Sequence, residues 1–147
     1  VNINRAQHLH VACRWLMVMA LAFASACPAQ AVPPPPARAE LLLELEPNGQ
    51  ELRLLDTVRA YQPVPMSFAV QAGDRLLLSL KDTERLLVLQ IGAPSGLPWI
   101  SGVVPGPDGI DLWFAQNGIY RLVVLMSADA ARTGRAASFE LGLRLRR

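Results

Sequence analysis

From Glu40 to Arg147 apolar and polar residues alternate with a period of two, broken by turn residues about every ten positions. Successive side chains of a strand point to opposite faces, so this pattern builds half-buried strands and does not build helices. Glu40–Glu46 sets Leu41, Leu43 and Leu45 on one face against Glu44 and Glu46. Pro47-Asn48-Gly49 turns the chain, and Leu52 and Leu54 resume an inward face with Glu51 and Arg53 outward. Ser67–Val70 runs into Ala72-Gly73-Asp74, then Arg75–Leu80; the polar turn Lys81–Glu84 leads into Arg85–Ile91. Gly92–Gly96 and Pro105–Gly109 are loops by their glycine and proline content. Ile110–Phe114 alternates again, Asn117-Gly118 turns into Ile119–Met126, and Phe139–Arg146 closes with Phe139, Leu141, Leu143 and Leu145 on one face. Short strands at this spacing predict an all-β fold, a single antiparallel β-sandwich of at least six strands. Leu78, Leu89, Leu112, Leu122 and Leu141 are its expected core, with Tyr120 in phase with Leu122 and Val124.

Two stretches leave the pattern. Thr57–Pro65 holds two prolines and is expected to cross between sheets. Ser127–Ser138 is small and polar, with Ala130-Ala131 fit for one helical turn. Connections of such length in compact domains are often functional.

The first thirty-one residues have another character. Arg5, His8, His10 and Arg14 form a positive start, Trp15–Ala26 an apolar run, and Ala29-Gln30-Ala31 a small-residue cleavage site. This is the organisation of an export signal, expected over 1–31. Val32–Ala39, with four consecutive prolines, follows as a stiff spacer over 32–39, and the domain occupies 40–147. Ala24-Ser25-Ala26-Cys27 also resembles a lipobox, which would make Cys27 a lipidation site. The expected location is the periplasm or the exterior, with an outer-membrane lipoprotein as the alternative. The apolar run is shorter than the roughly 20 residues that span a bilayer, and no transmembrane segment is expected in the mature chain.

Cleavage after Ala31 changes the chemistry available. Cys13, Cys27, His8 and His10 are the chain's only cysteines and histidines, and all four precede the cut. Without imidazole or thiolate, Ser67, Ser79, Ser95 and Ser101 have no activating base, and most zinc, copper and haem chemistry is excluded. The fourteen basic residues fall to twelve once Arg5 and Arg14 go, matching the twelve acids. The pI of about 8.9 thus owes much to the leader, and nucleic acid is not an expected partner. Asp108 and Asp111 are too few for calcium and, with Asp74 and Asp82, read as solvated turn acids. No two carboxylates are spaced as a glycosidase pair. No cofactor, metal or enzymatic activity is expected.

Phe68-x-Val70-x-Ala72-Gly73-Asp74, the loop Gly92-Ala93-Pro94-Ser95-Gly96 and the start Asn117-Gly118-Ile119-Tyr120 follow in that order. Over roughly Ser67–Leu145 the chain resembles the bacterial pre-peptidase C-terminal domain, which implies a jelly-roll-like sandwich. The tail, Leu125–Phe139, is similar to the periplasmic inhibitors of g-type lysozyme, whose loop carries an R-x-x-A-R-type motif. Arg132 fits the second arginine of that motif, whereas the first falls near Ser127–Ala128, where there is no cation. The resemblance implies a non-catalytic envelope protein that inserts loop residues into a partner's cleft, a lysozyme's in the specific case. Asn117, Gly118, Asp129, Arg132 and Arg135 are the residues so implicated, with Trp99 as a rim aromatic. The alternative is a structural or carbohydrate-binding envelope module, for which an envelope polysaccharide is the partner and Trp99 and Trp113 matter more than Arg132.

Overall fold

The computed structural model describes residues 37–147, which belong to one compact unit, Pro35–Arg147. The leader, Cys27, the cleavage site and most of the proline spacer lie outside the described residues. Nine strands and one short helix follow in order: β1 (Leu41–Leu43), β2 (Leu52–Arg59), β3 (Val64–Val70), β4 (Arg75–Lys81), β5 (Leu87–Gly92), β6 (Pro98–Val103), β7 (Ile110–Trp113), β8 (Gly118–Met126), α1 (Ala128–Arg132) and β9 (Ala136–Arg146). They form two sheets, one ordered β1-β3-β8-β5-β6 and the other β2-β9-β4-β7. Every pairing is antiparallel except β1 with β3. The all-β sandwich expected from the alternation is the fold.

On β4, β5, β7, β8 and β9 the buried face is the one the alternation marks. Met66, Phe68 and Val70 on β3 and Tyr120, Leu122 and Val124 on β8 meet Leu76 and Leu78 on β4 and Leu141, Leu143 and Leu145 on β9 in a single apolar cluster. Leu78, Leu89, Leu112, Leu122 and Leu141 are all buried, as expected. A cavity left by truncating such a residue is not refilled cheaply, because the two sheets are held apart by all the other side chains.

Several expectations need correction. Thr57–Arg59 continue β2 and Val64–Pro65 begin β3, so the crossover between sheets is only residues 60–63. Pro65 is tolerated in a strand because β1 pairs only with Met66–Phe68, leaving β3 as an edge at Pro65. Glu40–Glu46 contributes a strand of three residues; Leu41 is exposed, and Leu43 and Leu45 are half-buried at the rim of the core. The Ser127–Ser138 connection is shorter than it reads, because Ala136–Ser138 belong to β9. Asp74 is no solvated turn acid: it is 1% exposed and ion-paired to Arg147.

Candidate binding surfaces at the two ends of the sandwich

Strand β8 fixes the geometry of the candidate residues. It is nine residues long, so at about 3.3 Å per residue its ends lie roughly 26 Å apart. Asn117 and Gly118 stand at its start, while Asp129, Arg132 and Arg135 follow its end. Trp99 lies at the start of β6, whose Pro98 pairs with Gly92 beside Arg121, and so belongs with Asn117 and Gly118. The candidate residues therefore form two groups at opposite ends of the sandwich.

The end carrying α1 is built from that helix, the 60–63 crossover and the β4–β5 loop. Ala130 and Ala131 bury against the core, which turns Asp129 and Arg132 outward. The Ser127 N–H donates to the Leu86 carbonyl (2.7 Å), the Ala60 N–H to the Arg135 carbonyl (2.9 Å), and the Thr133 hydroxyl to the Ala130 carbonyl (2.7 Å). Asp82 organises the adjoining loop by accepting from the Leu86 and Leu87 N–H groups at 2.5 and 2.8 Å. These bonds knit three connections into one surface.

On that surface Arg132 reaches Asp129 at 2.6 Å, with both side chains largely in water, and Arg135 pairs with Glu84. Exposed pairs of this kind contribute about 0–1 kcal/mol. Arg132 can therefore exchange Asp129 for a partner's carboxylate at little cost. Arg59 and Arg85 are exposed and make no ion pair among the described residues.

Tyr61, 68% exposed in the crossover, was not marked by the sequence pattern. With Pro63, Met126, Ala128 and Ala131 it lines an open apolar groove of about 390 Å³ beside the helix. Its one sequence signal was the break in alternation at Thr57–Pro65, where a tyrosine with no alternating partner has no strand face to bury against.

At the other end the aromatic residues gather. Phe68, Phe114 and Tyr120 interlock in the core, Phe114 and Tyr120 edge to face with centroids 4.6 Å apart. Trp99 packs over both, 5.4 Å from Phe114 and 5.7 Å from Tyr120, and remains 43% exposed. Trp113 is on the solvent face of β7, 60% exposed. Asn117 and Gly118 act here as scaffold. The Asn117 side-chain oxygen accepts the Ala72 N–H at 2.6 Å, tying two loops together. Gly118 has φ +148°, and a Cβ there would stand 2.5 Å from the Pro94 ring.

The Asp74–Arg147 pair closes this end. Arg147 donates from Nε (2.8 Å) and from a terminal nitrogen (3.1 Å) to the two carboxylate oxygens, one of which also accepts the Gln71 N–H at 2.8 Å. The Arg147 guanidinium holds the Asp74 carboxyl below the usual carboxylate range against the opposing effect of burial, and the Gln71 N–H helps. Among the described residues no group of three or more His, Cys, Asp or Glu could hold a metal, and no helix is long and apolar enough to cross a membrane.

No family model and no curated protein matches the sequence. Solved structures do. The periplasmic inhibitor of g-type lysozyme from Aeromonas hydrophila aligns with a TM-score of 0.61 at 14% identity, over 73% of this chain and 96% of that one. Its counterpart from Salmonella Typhimurium aligns with a TM-score of 0.59 at 15% identity, over 75% and 100%. The fold is shared with these inhibitors. A pre-peptidase C-terminal domain of a Bacillus anthracis collagenase aligns more loosely, with a TM-score of 0.49 at 14% identity, over 76% and 98%.

Proposed function

We propose that the chain is an exported, non-catalytic binding protein of the bacterial envelope whose α1 end enters the cleft of a protein partner, a lysozyme in the specific form of the proposal. The observation that carries it is the outward-facing Arg132 on a helix pinned by Ala130 and Ala131, beside an exposed Tyr61, in a fold shared with periplasmic lysozyme inhibitors. A planar guanidinium pairs in bidentate fashion with carboxylates of the kind that line a glycosidase cleft. A half-apolar tyrosine on a short, hydrogen-bonded crossover supplies contact area at small entropic cost. Asn117 and Gly118 are not part of this surface; their backbone and side chain are spent on the opposite end.

The missing first arginine of the loop motif, at Ser127–Ala128, predicts weaker binding than a two-arginine loop would give. The test is peptidoglycan lysis by chicken-type, invertebrate-type and goose-type lysozymes with the protein added. Inhibition of one class is expected, and Arg132→Ala should weaken it while leaving thermal unfolding unchanged. Failure to inhibit all three would eliminate the lysozyme form of the proposal.

A further inference from the structure

We infer that the aromatic end carries a second binding site, for a neutral oligosaccharide of flat, β-linked pyranose rings. The inference is independent of the function proposed for the α1 end, from which β8 separates it. Nine large apolar residues are exposed among the described ones, and three of them, Leu97, Trp99 and Trp113, line a single open groove of about 470 Å³. Scattered exposed apolar residues are ordinary, but a cluster in one concavity marks a binding site.

The chemistry of the groove selects the ligand class. Its lining holds no charged side chain; its polar side chains are Ser95, Gln116 and Tyr120. The Tyr120 hydroxyl is turned onto the Gln116 carbonyl (3.4 Å), which leaves a hydroxyl and a carboxamide as the polar contacts. Each of these both donates and accepts, as sugar hydroxyls do. A charged ligand would find no counter-charge in the lining. A β-linked pyranose presents an apolar C–H face to an indole and a hydroxyl rim to such groups. A polyproline helix also stacks on aromatic grooves, but it offers only carbonyl acceptors and would leave the acceptor half of Ser95 and Gln116 unused.

The groove is also preorganised. The Ala93 N–H donates to the Leu97 carbonyl and the Gly96 N–H to the Ala93 carbonyl, both at 2.9 Å, so the Pro94–Gly96 wall is a closed turn. Pro94 packs onto the bare Cα of Gly118. Trp99 is fixed at its inner edge by Phe114 and Tyr120. Little ordering is left to be done on binding, the condition under which a stacking platform works best.

The experiment uses the full chain labelled with nitrogen-15. The indole N–H signals of Trp15, Trp99 and Trp113 are assigned from Trp15→Phe, Trp99→Phe and Trp113→Phe variants. Cellotetraose, the tetramer of β-1,4-linked N-acetylglucosamine and a proline decapeptide are then titrated separately. The inference expects the Trp99 and Trp113 signals to move saturably with at least one sugar. Trp113→Ala should weaken that binding by about tenfold or more. Trp113→Ala is the deciding variant, because Trp99→Ala also unroofs Phe114 and Tyr120; the unchanged positions of core amide signals show that Trp113→Ala is folded. Silence of both indoles with both sugars at millimolar concentration overturns the inference. So does saturation by the proline peptide alone, or sugar binding that survives Trp113→Ala.

Discussion

Replacing Asp74 by alanine should lower stability by about 2 kcal/mol near neutral pH and by much less in acid. Asp74 is 1% exposed, and its carboxylate holds two bonds from Arg147 and one from the Gln71 N–H. Hydrogen bonds to a charged group contribute about 1.5–3 kcal/mol net when the pair is sheltered. Here the Arg147 side chain is 46% exposed, so water screens its half of the interaction and the lower part of that range applies. The sign of the pH dependence follows from the direction of the Asp74 shift. Its folded pKa lies below the value near 3.9 of an unfolded chain. The contribution is thus complete above that unfolded value and is lost as pH falls through the folded one. Urea unfolding of wild type and variant at constant ionic strength, from neutral pH downward, measures the gap. The other carboxylates are common to both proteins and cancel in the difference. The gap should close in acid toward a small remainder from lost packing. A gap that stays constant, or widens on acidification, would refute the claim that an ionised Asp74 locks this end.

Leu122→Ala should cost about 2–5 kcal/mol in chemical denaturation, since the side chain is fully buried between the sheets and the cavity cannot collapse. Gly109→Ala should cost about 1–3 kcal/mol, because φ is +79° and the added Cβ would stand 2.5 Å from the Leu78 carbonyl oxygen, a backbone atom that cannot swing aside. Intact mass of protein recovered from an export-competent host should correspond to a chain beginning at Val32; an acylated chain beginning at Cys27 would instead support the tethered alternative.

What the sequence disclosed and what it hid divide along a physical line. Burial by alternate residues is a local property, so Leu78, Leu89, Leu112, Leu122 and Leu141 and the phase of Tyr120 could be read from neighbours alone. Trp113 could not, because a strand out of context does not reveal whether its second face is covered. The Asp74–Arg147 pair joins residues seventy-three positions apart, and nothing in either neighbourhood announces the other. Asp74 accordingly read as an ordinary turn acid. The separation of Asn117-Gly118 from Arg132 was legible in principle. The run Ile119–Met126 was already read as one strand, and a strand of that length puts its two flanks at opposite ends. Pro65 misled for a different reason: a proline excludes a strand only where its missing N–H is needed, and β3 has an open edge there.

The two ends differ in kind as well as in place. At the α1 end the polar groups are cations held by weak, exposed pairs, Arg132 with Asp129 and Arg135 with Glu84, which a partner can replace. At the aromatic end Asp74 is buried and held by Arg147, and the groove itself is lined by indoles and neutral hydrogen-bonding groups with no charged side chain. The first arrangement favours recognition of an acidic surface, which salt weakens; the second favours stacking, on which salt has little effect. The ends stand much farther apart than the roughly 7–10 Å within which substitutions couple, so changes at one should add to changes at the other. The protein site proposed at one pole and the glycan site proposed at the other should therefore respond differently to ionic strength, which tests them separately without any substitution.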